Sequence, residues 1–251
     1  MNIETILTPT ELPALARRDL RGTACVVFDI LRATSTFVTA LHHGADAIIP
    51  VCEIAEAVAL RRRQPEVLLA GERDGVKIRA AQSGGIDFDF GNSPREFRPE
   101  KVRGKTIVST TTNGTRALRA CAGAKTVLAG SFLNLAATAD FLRGEKDVLL
   151  VCAGTGENPA AEDILAAGAL VDLLSSGKST HAHKSANSTA ARTAYVQATL
   201  TNLAKAIGSS ENGQRLLANP ELRDDVAFCA QRDIFNLVAV MQPDGSLRRM
   251  V

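Results

Sequence analysis

The sequence predicts an α/β protein with three layers, α/β/α, around a largely parallel sheet. Three observations predict it. Short apolar runs rich in Val, Ile and Leu alternate with longer helical patterns along the chain. The runs are apolar at consecutive positions, as parallel strands are when helices cover both faces. The chain has 251 residues, 45% hydrophobic and 22% charged, enough for a sizeable core of ordinary composition.

The elements follow in chain order. ACVVFD (24–29) is a strand, and TSTFVTALHH after it is a helix closed by Gly44. The hydroxyls of Thr34, Ser35 and Thr36 read as helix-start residues rather than ligands. AIIPV (47–51) is the next strand, followed by the helix EIAEAVALRRR. Its last residues, Arg61 to Arg63, complement the helix dipole. VLLAG (67–71) is a strand, and residues 72–99, rich in Gly, Pro and charge, form a long excursion at its end. KTIVST (105–110) precedes the helix NGTRALRACA, and TVLAG (126–130) precedes LNLAATADFLR. DVLLVCAG (147–154) leads into AEDILAAGALVDLLSS, with Ile164, Leu165, Leu170, Val171 and Leu174 on one face.

Residues 175–190 are poor in apolar side chains and read as an exposed loop. TAARTAYVQATLTNLAKAIG reads as one amphipathic helix using Ala194, Val196, Leu200 and Leu203. NLVAVM (236–241) is a strand ending in a Pro-Asp-Gly turn. One domain over 1–251 is expected, with a subdomain division near 100–105 left open.

Composition excludes several classes. Net charge is +2, from 29 basic and 27 acidic residues, and only 4% of residues are aromatic with no Trp. Neither a basic footprint nor a stacking platform for nucleic acid is present. The five cysteines, Cys25, Cys52, Cys121, Cys152 and Cys229, are odd in number and scattered. They read as small apolar residues of a reducing compartment. No signal peptide and no apolar run near the ~20 residues of a membrane span is seen, so the cytoplasm is expected. The sequence admits a homodimer without requiring one.

In an open α/β sheet, ligands bind beyond the carboxyl ends of the strands. Strand 24–29 ends in Asp29, with Arg32 beyond it. Strand 67–71 is followed by Glu72, Arg73, Asp74 and Lys77. Strand 105–110 runs into Thr110-Thr111-Thr112-Asn113-Gly114-Thr115-Arg116, whose hydroxyls and helix-start N–H groups suit an anion. Strand 147–154 runs towards Glu162 and Asp163. Asp29 also reads as a helix cap, the Thr loop as an Asn-Gly turn, and Glu162 and Asp163 as ordinary helix-start acids. Together the set reads as a phosphate site with Mg²⁺. Asp29, Glu72, Glu162 and Asp163 offer hard oxygen ligands, while Arg32, Lys77, Arg116 and the Thr loop offer anion donors. GTGENP lacks the third glycine of a dinucleotide fingerprint. His181 and His183 form an H-x-H pair read as solvent-exposed. The rival to an enzyme is a non-catalytic α/β module that captures a small anion to regulate a partner.

FDILRATST, LLAGERDGVKI, FDFGNSPREF, TIVSTTTNGTRAL, VLAGSFLN and VLLVCAGTGENPAAEDILAAGAL occur in this order. With AFCAQRDIFNLVAV near the end, they resemble the 2-phosphosulfolactate phosphatase (ComB-type) family, and 175–220 matches poorly. The resemblance implies a Mg²⁺-dependent hydrolase of 2-phosphosulfolactate, a small anionic phosphorylated substrate on the route to coenzyme M in methanogens. It implies catalytic roles for Asp29, Arg32 and Asn113, and substrate binding by Arg73, Lys77, Asn92, Ser93, Thr111, Thr112 and Arg116. It implies metal ligation by Asp29, Glu72, Glu162 and Asp163. GENPAA departs from the family pattern, which puts the local pocket shape and the substrate preference in question.

Overall fold

A computed structural model describes residues 1–15, 17–176 and 182–250, so His181 of the H-x-H pair lies outside the described residues. Its strands are β1 (Asn2–Ile6), β2 (Thr23–Phe28), β3 (Ala47–Pro50), β4 (Leu68–Arg73), β5 (Val76–Lys77) and β6 (Thr106–Thr110). They continue with β7 (Thr126–Gly130), β8 (Asp147–Cys152), β9 (His183–Lys184), β10 (Val238–Met241) and β11 (Leu247–Met250). All join one sheet in the order β5-β4-β6-β3-β11-β10-β7-β2-β8-β1-β9.

Two blocks of the sheet are parallel throughout: β4-β6-β3 and β7-β2-β8-β1-β9. The hairpin β10–β11 lies between them and runs antiparallel to both neighbours. β5 folds back antiparallel on β4. The fold is α/β, with helices on both faces.

Burial explains the apolar runs. On β2, Cys25 and Val27 face one layer with Phe37, Leu41 and Leu118. Ala24, Val26 and Phe28 face the other with Leu135, Leu165 and Leu170. Successive strand residues point to opposite faces, so a strand covered on both must be apolar at each position. A third cluster, Val58, Leu69, Phe88 and Val108, sits under the helix Ile54–Arg63. Among the described residues no helix is long and apolar enough to cross a membrane.

Two sequence expectations change. Residues 175–190 are not simply a loop, because β9 pairs with β1 and a helix starts at Ala186. The amphipathic helix is two helices, Ala186–Thr201 and Leu203–Gly208, the second capped by Asn202 Oδ1 accepting from the Lys205 N–H at 2.9 Å. The first buries Ser188, Ala191 and Tyr195, and leaves Val196 38% and Leu200 81% exposed. It packs on the helix Ala161–Ser175, and small side chains permit that close approach.

Candidate active site

A cleft of about 320 Å³ lies at the carboxyl ends of β2, β4, β6 and β8. β2 ends at Phe28 and delivers Asp29 into it. Asp29 Oδ1 accepts from the N–H of Ala33, the first residue of the helix Ala33–His42, at 3.0 Å. The N-cap itself is Arg32, which makes no side-chain cap bond, so Asp29 holds the helix start from three residues before the cap while it lines the cleft. Gly114 makes room for this carboxylate, since a Cβ there would stand 2.5 Å from Asp29 Oδ2 and 2.6 Å from the Ala33 Cβ. The hydroxyls of Thr34 and Ser35 donate to the nearby carbonyls of Asp29 and Ile30, and the Thr36 hydroxyl donates across to the carbonyl of the cleft-lining Asn92.

β4 supplies Glu72, whose two oxygens face different donors. Oε1 accepts from the N–H and hydroxyl of Thr112 at 2.8 and 3.0 Å, and Oε2 from the Gly75 N–H at 2.7 Å. The side-chain amide of Asn113 donates to the Ala153 carbonyl at 3.1 Å, tying the β6 end to the β8 end. Beyond β8, Asp163 ties two strand ends together. Its oxygens accept from the Ile30 N–H at 2.8 Å and the Gly154 N–H at 3.0 Å. Gly154 holds φ +70, and a Cβ there would meet the Asn158 carbonyl oxygen at 2.4 Å. Glu162 is 1% exposed. Its Oε1 accepts from the Asn212 amide at 2.7 Å, while its Oε2 is buried with no partner.

The sequence-predicted residues divide into three groups. Asp29, Arg32, Glu72, Asn92, Thr112 and Asn113 line the cleft. Glu162, Asp163 and Ser93 stand just behind it. Ser93 Oγ donates to Asp225 at 2.6 Å. Arg73, Lys77, Thr111 and Arg116 are not brought to the cleft. Arg73 follows Glu72 on the same strand and so leaves by the opposite face, donating to the Thr110 hydroxyl and the Cys52 carbonyl. Lys77 donates to the Asp89 carbonyl. The Thr111 hydroxyl accepts from the Thr115 N–H within the Thr loop. Arg116 lies 3.6 Å from Glu53 and lines an adjoining cavity that shares Thr112 and Asn113 with the cleft.

The motif blocks did not reveal the residues of the C-terminal wall. Glu211, Asn212 and Arg215 line the cleft from the helix Glu211–Leu217. Asp225, wholly buried, receives Arg32 at 2.7 Å, and Arg32 itself is 4% exposed. A second Arg32 nitrogen donates to the Gly75 carbonyl at 2.9 Å. The one available signal was Asp224-Asp225 opening a helix, the same pattern as Glu162-Asp163.

Charge in the cleft is unbalanced. Desolvation pushes the Asp29 carboxyl up to about 7; the Ala33 N–H pulls against this, Glu72 and Glu162 add repulsion, and Arg32 offsets a little. Burial, then Glu162 and Asp29, push the Asp163 carboxyl well above the usual range, against the two N–H bonds. Among the described residues, no three Asp, Glu, His or Cys side chains form a ready cage for a metal. Mg²⁺ needs none, because it keeps several waters and takes one or two carboxylates plus substrate phosphate. The orphaned Glu162 Oε2 and the crowded Asp29, Glu72 and Glu162 fit such a cation. Asp163 fits least well, standing behind the cleft with both oxygens held by backbone N–H groups. Glu72 also has both oxygens engaged, by Thr112 and Gly75, but lines the cleft itself, and Glu162 keeps Oε2 free.

Comparison with known proteins identifies the family. The family model described as 2-phosphosulpholactate phosphatase matches residues 7–244. A Thermotoga petrophila protein named probable 2-phosphosulfolactate phosphatase is 40% identical over 86% of this chain and 88% of its own length. One of the same name from Carboxydothermus hydrogenoformans is 35% identical over 99% of this chain and 94% of its own. A third, from Caldanaerobacter subterraneus, is 48% identical over 63% and 64%. The chain belongs to the 2-phosphosulfolactate phosphatase family, whose members are phosphoric monoester hydrolases.

Proposed function

We propose that this member of the family hydrolyses 2-phosphosulfolactate, or a closely related small phosphorylated acid, with Mg²⁺ as cofactor. One observation carries the reading. The cleft is lined by four acids, Asp29, Glu72, Asp74 and Glu211, against two bases, Arg32 and Arg215. Arg32 is moreover already paired with Asp225. A phosphate group cannot settle among such carboxylates unless a cation lies between them.

Asp29, Glu72 and Glu162 would hold Mg²⁺. When bound, the ion supplies charge neutralisation for phosphate oxygens. The protein supplies position. Asp29 is fixed by the Ala33 N–H, Glu72 by Thr112 and Gly75, and Arg32 by Asp225, with further guanidinium donors left for the substrate. Phosphoryl transfer rests mainly on such positioning and on charge stabilisation.

The test is a phosphate-release screen over small phosphorylated acids, with and without Mg²⁺. The expected result is strong release from 2-phosphosulfolactate only when Mg²⁺ is present. Full activity in a chelator would remove the metal from this reading, and release from every phosphorylated acid except this one would remove the substrate.

A further inference from the structure

We infer that Arg215 reads the second anionic group of the substrate, the carboxylate or sulfonate that accompanies the phosphate. The inference rests on the proposed reaction and names the residue that gives it specificity.

The argument begins with the count of cations. Of the four basic residues that the motif blocks assign to the substrate, Arg73, Lys77 and Arg116 do not line the cleft. Arg32 does, but Asp225 neutralises it at 2.7 Å. Among the described residues, Arg215 is the one cleft-lining cation with no carboxylate within ion-pair distance. A molecule with three anions would leave at least one unanswered without it.

The side chain is also held ready. Asn212 donates its amide to Glu162 at 2.7 Å and to the Thr155 hydroxyl at 2.5 Å. That fixes the amide so that Oδ1 accepts from Arg215 at 2.6 Å. The acceptor is neutral, so it orients the guanidinium without cancelling its charge. Asn212 is itself buried, and the helix Glu211–Leu217 is capped by Ser210 Oγ accepting from the Gly213 N–H at 3.1 Å. A planar fork of donors, oriented and still charged, suits a carboxylate or sulfonate. The chain Arg215–Asn212–Glu162 also connects this group to the carboxylates assigned to Mg²⁺.

The experiment compares wild type, Arg215→Gln and Arg215→Lys with Mg²⁺ on three substrates: 2-phosphosulfolactate, 2-phospholactate and p-nitrophenyl phosphate. Arg215→Gln is expected to lower kcat/KM for 2-phosphosulfolactate about 10- to 100-fold, through KM, as loss of a charged hydrogen bond does. For p-nitrophenyl phosphate, which has no second anion, the change stays within about twofold, and Arg215→Lys recovers part of the loss. An equal loss on 2-phospholactate assigns Arg215 to the carboxylate, and an unaffected 2-phospholactate assigns it to the sulfonate. Equal losses on all three substrates, or no loss on 2-phosphosulfolactate, overturn the inference while the proposed reaction stands. A wild type with no preference for 2-phosphosulfolactate over p-nitrophenyl phosphate overturns both.

Discussion

Asp163 and Asp225 are both buried carboxylates in the first turn of a helix beside the cleft, one on its strand-end floor and one on its C-terminal wall. Asp163 meets only backbone, the N–H groups of Ile30 and Gly154. Asp225 meets only side chains, Arg32 and Ser93, with Arg95 at 3.6 Å. The floor therefore uses a carboxylate to fix where β2 and β8 end, and leaves Asp29, Glu72 and Glu162 short of cations. The wall uses a carboxylate to aim an arginine. The same residue type, opening a helix in the same way, sets main chain in one place and charge in the other.

The largest test strikes the floor. Asp29→Asn should cut Mg²⁺-dependent phosphate release by about 100-fold or more while circular dichroism shows an intact fold. Near-normal turnover would remove Asp29 from the centre of the site.

Next come the two helix starts compared directly. Asp225→Ala leaves the Arg32 charge buried and unpaired, and should cost about 3–5 kcal/mol in urea unfolding. KM should rise with it. Asp163→Ala orphans two N–H groups, at roughly 1–3 kcal/mol each, and should lower the urea midpoint with KM less affected. If both variants shift KM alike, the contrast between floor and wall fails.

A smaller effect follows from the titration of Asp29. Its ordinary value of 3.8 is raised to about 7 in the fold. The folded state therefore holds this proton more tightly than the unfolded chain. Its contribution to stability is complete below about pH 4 and is lost as pH rises towards 7, with no further change above. Thermal melts between pH 4 and 7.5 in a chelator should fall across that window. Mg²⁺ should flatten the fall, and Asp29→Asn should remove its share. A melt independent of pH and of Mg²⁺ would contradict the charge crowding.

The smallest effect is at the exposed rim of the wall. Glu211→Gln removes one acid from the cleft lining and should lower KM for an anionic substrate about two- to fivefold, since exposed charges act weakly. The gain should vanish in high salt.

How much was legible follows from geometry. β2, β3, β4, β6, β7, β8 and β10 declared themselves because strands covered on both faces are apolar throughout. β1, β5, β9 and β11 did not. Two of them have two residues each, and β11 carries Arg248 and Arg249, both exposed, where an apolar run would be expected. Asp29, Arg32, Glu72, Thr112 and Asn113 were found because strand ends gather at one edge, and Asn92 only through the family resemblance of FDFGNSPREF. Arg73 was misplaced because strand alternation, which puts Glu72 in the cleft, turns its neighbour out. Asn212, Arg215 and Asp225 come from a helical region whose polar residues look like ordinary caps and solvated faces. Only tertiary packing shows that they close the cleft. The helix face around Val196 and Leu200 misled because a close helix pair selects small residues over large apolar ones.

The antiparallel hairpin β10–β11 bears on how the sheet is assembled during synthesis. Val238 to Met250 leave the ribosome after both parallel blocks, yet they occupy the middle of the sheet. Until they arrive, β3 and β7 each present an unpaired edge, and such edges invite pairing with other chains. A nascent chain of this design stays exposed to mispairing until β10 and β11 have emerged and paired.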